Sequence, residues 1–159
     1  MLIELNPKNI TDEMMAITAL RSISAPDAGT ASRRLLTECE LDALHTIMRM
    51  TFAEIVIRLS AFVERCEIDV DDPADPTAGL RMAIEFANGA SLPEGIALPI
   101  KRQLEHAVAA ATLEWVITEA DTSLAQTLRT QHEAVVDAIT DTLVEHTQCS
   151  IPLWRPAVW

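Results

Sequence analysis

Apolar residues return every three or four positions through most of this chain, the period of a helix with one buried face. Leu41, Leu44, Met48, Phe52, Ile55, Leu59, Phe62 and Cys66 keep that step without a miss, and Ile47, Val56 and Val63 widen the stripe. Thr37 and Glu40 stand just before it, three apart, the spacing of a capping box in which each side chain satisfies the other's free backbone donor. The pattern predicts a helix from that box to about Ile68. Upstream, Ile10, Met14, Ile17 and Leu20 predict a first helix ending near Ser24. Thr11 reads as its cap, with Asp12 and Glu13 in the first turn, where the helix dipole favours acids. Pro26-Asp-Ala-Gly-Thr30 reads as a break.

A second break falls at residues 69–76, where two prolines and four acids cannot continue a helix. Thr77 then caps a short predicted helix bearing Leu80, Ala83, Ile84 and Ala87, which Asn88-Gly89 ends. After the loop at residues 91–95, a long helical region starts near Ala97, with Pro99 tolerable in its first turn. Residues 107–117 are apolar nearly all round, which predicts a central helix packed on several sides. Ala107, Ala109, Ala110 and Ala111 let neighbours approach closely. The box-like spacing of Ser123 and Gln126 divides this region near Ala120. Leu124, Leu128, Val135, Ile139 and Leu143 then predict a last helix ending near Gln148. No segment sustains an alternating pattern, so no sheet is expected between residues 37 and 148. The expected fold is all-α: a single-domain bundle of about five helices over residues 1–149, with an extended tail at 150–159.

Composition agrees with a packed helical chain. Of 159 residues, 49% are apolar, only 4% are aromatic, and glycine occurs four times. The net charge is −12, and both halves share it: fourteen acids against seven bases up to residue 75, ten against five after it. No basic stripe exists to neutralise phosphates, so neither nucleic acid nor an anionic membrane is an expected partner. Cys39, Cys66 and Cys149 are odd in number and far apart, the pattern of reduced thiols in a cytoplasmic protein. They read as small core hydrophobes, with Cys39 also able to stand exposed near a helix start. The first residues lack the layout of a secretion signal, and no apolar run is long enough to span a bilayer.

Candidate chemistry is sparse. Asp42-x-x-His45 is the only acid–histidine pair at the spacing used by helical di-metal sites. His106, His132 and His146 have no acid three residues before them, and no metal or other cofactor is expected. Asp69, Asp71, Asp72 and Asp75 form an acidic loop. It lacks the glycine and the closing glutamate of a calcium-binding loop, and Pro73 and Pro76 interrupt it. Glu64-x-x-Glu67, on one helical turn, would set two carboxylates on a common face able to hold magnesium. In that respect it resembles the first acidic pair of all-helical nucleotide pyrophosphohydrolases. The resemblance implies a magnesium-dependent nucleotide hydrolase using Glu64 and Glu67. The family's second pair is missing, because Glu85 is followed at the third position by Asn88 and Glu133 reaches Asp137 only at the fourth. No nucleophile elbow, phosphate loop or local Cys–His signature is present.

The tail is of another kind. Pro152 and Pro156 forbid a regular helix, and Leu153, Trp154 and Trp159 are costly to leave in water. These three are the candidate interaction residues, covering either the domain's own helix face or a neighbouring subunit or partner protein.

The second half of the chain resembles small helical proteins encoded among prophage and tailed-phage morphogenesis genes. The parts that carry the resemblance are Leu92-Pro93, the Ala-rich stretch from Ala107 to Trp115 and the turn near Asp121. The amphipathic run from Leu124 to Val144 and the tail from Pro152 to Pro156 complete it. Tails in that group are basic, whereas this one holds only Arg155. The resemblance implies a cytoplasmic or virion-associated role in building or joining virion parts, without catalysis. The sequence thus favours a non-enzymatic assembly or interaction protein, with a protein partner or self-association. The rivals are the hydrolase and a scaffold holding a small apolar ligand between its helices.

Overall fold

The computed structural model of the protein describes residues 1–69, 80–87 and 93–148. Five α-helices carry most of it: α1 (Pro7–Ser24), α2 (Pro26–Glu38), α3 (Leu41–Arg58), α4 (Ala97–Ile117) and α5 (Thr122–Gln148). Beside them lies a small antiparallel sheet of β1 (Leu2–Leu5), β2 (Val63–Asp69) and β3 (Arg81–Phe86), in the order β1-β3-β2. The chain forms the mostly helical single domain that its hydrophobic period predicts. The sheet is an addition, and it falls partly within residues 37–148, where none was expected.

Several boundaries differ from the sequence reading, each for a local reason. Helix α1 starts four residues before Thr11. Asn6 caps it by accepting from the Lys8 backbone N–H at 3.0 Å, and Pro7 takes the first position, where its missing N–H costs nothing. Thr11 lies inside the helix, donating to the Pro7 carbonyl. The supposed break at Pro26 is the start of α2, with Pro26 again in the first turn. Gly29 is there because α1 crosses at contact: a Cβ on it would lie 2.3 Å from the Ser22 backbone nitrogen. Thr37 ends α2 by donating to the Arg33 and Arg34 carbonyls, so it forms no capping box with Glu40.

Helix α3 buries Leu44, Met48, Phe52 and Ile55, and Leu59 just past its end, as the stripe predicts. It stops at Arg58 rather than near Ile68. Residues 63–69 instead pair with β3, through an irregularity between Val63 and Arg65 that breaks the period-two signal. The short helix expected around Leu80, Ala83, Ile84 and Ala87 is likewise corrected to strand β3. Ile84 lies opposite Ile3 and Met82 opposite Leu5, and all four are buried, so the sheet presents one apolar face to the helices.

Helix α4 is the hub. It packs against α5, α3, α1, α2 and β1, and its residues 107–111, 113 and 117 are buried in the core. Alanine at 107, 109, 110 and 111 permits this crowding, as the sequence predicts. The hydroxyls of Thr112 and Thr51 on α3 meet at 3.0 Å inside the seam. The turn at residues 118–121 divides α4 from α5 where the break near Ala120 was expected. The cap is Asp121, accepting from the Leu124 backbone N–H at 2.9 Å, rather than Ser123. Helix α5 buries Ala125, Leu128, Val136, Ile139 and Leu143, with Leu124 and Val135 at the border. Among the described residues no helix is long and apolar enough to cross a membrane. The acidic loop from Asp71 to Asp75, Asn88-Gly89, Cys149 and the tail with Leu153, Trp154 and Trp159 lie outside the described residues.

Candidate functional site

The C-terminal half of α4 lines a cleft in the surface. Ala111, Trp115 and Thr118 repeat at helical spacing and form one wall of a cleft of about 610 Å³. Arg129, His132 and Glu133 of α5 also line it, with Leu35 of α2 and Glu54 of α3. A smaller depression of about 290 Å³ shares Leu35 and Val116 with it and adds Glu38, Cys39 and Ile47. The two adjoin, and Leu35, Ile47, Trp115 and Val116 are the large apolar residues along this groove. Trp115 is 57% exposed there.

Glu114 governs the electrostatics. It is only 7% exposed, a carboxylate in the middle of an otherwise apolar run. Its Oε1 accepts from Arg129 Nε at 2.7 Å and lies 2.6 Å from Arg129 Nη2. Its Oε2 stands 3.5 Å from His132 Nδ1, beyond a well-formed hydrogen bond. A buried carboxylate needs such partners to hold its charge, and α5 supplies both one helical turn apart. With Arg129 committed to Glu114, the rim charge is set by Glu54, Glu119 and Glu133. The groove therefore combines an exposed indole, aliphatic side chains and exposed carboxylates. That set attracts a cationic, apolar group and offers no activated nucleophile.

The other buried acids are structural ties. Glu105 of α4 accepts from the Asn6 backbone at 2.9 Å and from Asn9 Nδ2 at 3.2 Å, fixing the start of α1. Asp121 takes Arg21 Nε at 2.8 Å and Nη2 at 3.1 Å. The hydrogen bonds from Arg21 hold its carboxyl below the usual aspartate range, against the opposing effect of burial.

The structure changes the setting of the two glutamates that sequence chemistry put on a helix. Glu64 and Glu67 sit on strand β2, Glu64 in the irregularity between Val63 and Arg65, and Glu67 pairs with Arg65 at 2.6 Å. The two carboxylates are not on one helical turn, which removes the geometric premise of the magnesium reading. Asp42 and His45 lie on α3. No group of three or more His, Cys, Asp or Glu side chains suited to a metal forms among the described residues. His106 Nδ1 meets Glu13 Oε1, joining α4 to α1. Cys66 is exposed on β2 rather than a core hydrophobe, and burial of part of its surroundings, with Glu67 nearby, pushes its thiol pKa up. Cys39 is half-buried at the end of α2.

The groove itself was not among the sequence candidates. Its signal was Glu114, which interrupts the apolar run and therefore requires a cationic partner one hairpin away. Compared with protein-family models, curated proteins and solved structures, the chain matches none.

Proposed function

We propose that this protein is a non-catalytic interaction component whose docking surface is the Trp115 groove. The observation that carries the reading is the exposure of Trp115 in a concave, carboxylate-rimmed site. Tryptophan is enriched among interface anchors, and here the carboxylates around it select for a basic and apolar partner segment. The layout of the C-terminal half supports a place among proteins that build or join virion parts.

A photo-crosslinking amino acid in place of exposed Thr118, introduced into the producing cell, tests the docking surface. The expected result is a discrete protein adduct that disappears when Trp115→Ser is added, with thermal unfolding unchanged. No adduct, together with turnover of a nucleotide panel in magnesium, overturns the reading. The virion role is checked separately by finding the chain in purified particles by mass spectrometry.

A further inference from the structure

We infer that His132 is a proton-operated control on this groove: when its ring gains a proton, the groove attracts a basic partner less. The inference rests on the reading of the Trp115 face as a docking surface, and it adds the condition under which that surface lets its partner go.

His132 stands one helical turn past Arg129 on α5, so both side chains meet Glu114 of α4. The two contacts are unlike. Arg129 Nε and Nη2 both close on Oε1, at 2.7 Å and 2.6 Å, while Oε2 faces His132 Nδ1 at 3.5 Å. That nitrogen is buried and has no hydrogen-bond partner among the described residues. A neutral ring is poorly matched there, because Nδ1 either turns a lone pair towards the carboxylate or donates across too long a gap. A protonated ring carries a donor on each nitrogen. A small turn of the side chain then lets Nδ1 make a charge-assisted bond to Oε2. Histidine's ordinary change of charge falls between about pH 5 and 8.

The added charge meets no counter-ion of its own, since Arg129 already neutralises Glu114. The other charged groups along the cleft are Glu119 of α4, Glu133 of α5 and Glu54 of α3, all exposed, and α2 brings only the uncharged Leu35. With His132 neutral, these three carboxylates set the field around Trp115. With His132 charged, one cation in the wall opposes them, at a pH where an ordinary glutamate is still ionised. By linkage, a cationic partner and the proton compete for the groove.

Collisional quenching of Trp115 tests this without any partner. With Trp154→Phe and Trp159→Phe in the full-length chain, Trp115 is the one indole left, and caesium and iodide ions report the charge around it. At constant ionic strength, the ratio of caesium to iodide quenching should fall about twofold from about pH 7.5 to about pH 5.5, the effect of one screened charge nearby. His132→Gln keeps a donor but never charges, so it should hold the ratio constant. Nitrogen NMR of the His132 ring in the unsubstituted chain should give the same midpoint as the ratio. A flat ratio with the native histidine overturns the control, as does an equal fall in His132→Gln or a ring titrating at a different midpoint. None of these results touches the Thr118 crosslink at neutral pH, and a missing adduct leaves the quenching profile standing, so the two readings fail separately.

Discussion

Asp121 sits where α4 turns into α5, and both its oxygens are committed: one takes Arg21 Nε from α1, the other takes Arg21 Nη2 and the Leu124 backbone N–H. Removing the carboxylate loses the helix cap and the link to α1 together. Asp121→Ala should lower stability by about 1 kcal/mol for the cap alone, measured by urea unfolding at neutral pH. The pH dependence has a definite sign. The folded carboxyl titrates below its ordinary value of 3.8, so its contribution is complete above that value and is lost as the pH falls through the lower one. The stability gap between the native chain and Asp121→Asn should therefore be constant near neutrality and narrow below about pH 4. A gap that widens in acid contradicts the assignment. Glu114 shows the same economy at the groove. Without Arg129 its burial would be prohibitive, and with it the rim is left acidic.

At the scale of elements, the α1–α2 crossing depends on a missing side chain. Gly29→Ala would place a methyl 2.3 Å from the Ser22 nitrogen and 2.4 Å from its Cα, atoms of a helix backbone that cannot yield. The substitution should cost about 1–3 kcal/mol by urea denaturation despite alanine's better helix propensity. An unchanged midpoint would mean that the helices separate freely. Such contacts explain which elements were legible in the sequence. The stripe from Leu44 to Leu59 and the crowded run from Ala107 to Ile117 are long and periodic, so the pattern alone places α3 and α4. Helix α2 was hidden because Pro26 and Gly29 look like breakers until α1 is seen packed against them. Strands β2 and β3 were hidden because Phe62 and Cys66, or Leu80, Ala83 and Ile84, also fit a helical step. Only pairing decides between the two: β3 against Ile3 and Leu5 of β1, and β2 against β3. Of the groove, Glu114 was legible as an interruption. Its walls were not, since they come from four helices that meet only in space.

The whole molecule is one core threaded by α4, which touches four other helices and β1. The sheet's inner face, Ile3, Leu5, Met82, Ile84 and Phe86, belongs to that same core. Far-ultraviolet and near-ultraviolet circular dichroism should therefore report one superimposable thermal transition at a given protein concentration. Two separated transitions would show that the sheet melts apart from the helices. Among the described residues, no further strand pairs with β1 or β2, which are the outer strands of the sheet. Unpaired borders are where chains zip into fibrils. Glu4 and Arg81 project at one end of the sheet, and Glu64, Arg65 and Glu67 stud β2, on a molecule already carrying −12. Those charges act as a fence against lateral stacking, and stripping them to valine or threonine should leave the helices intact while making the chain prone to filaments.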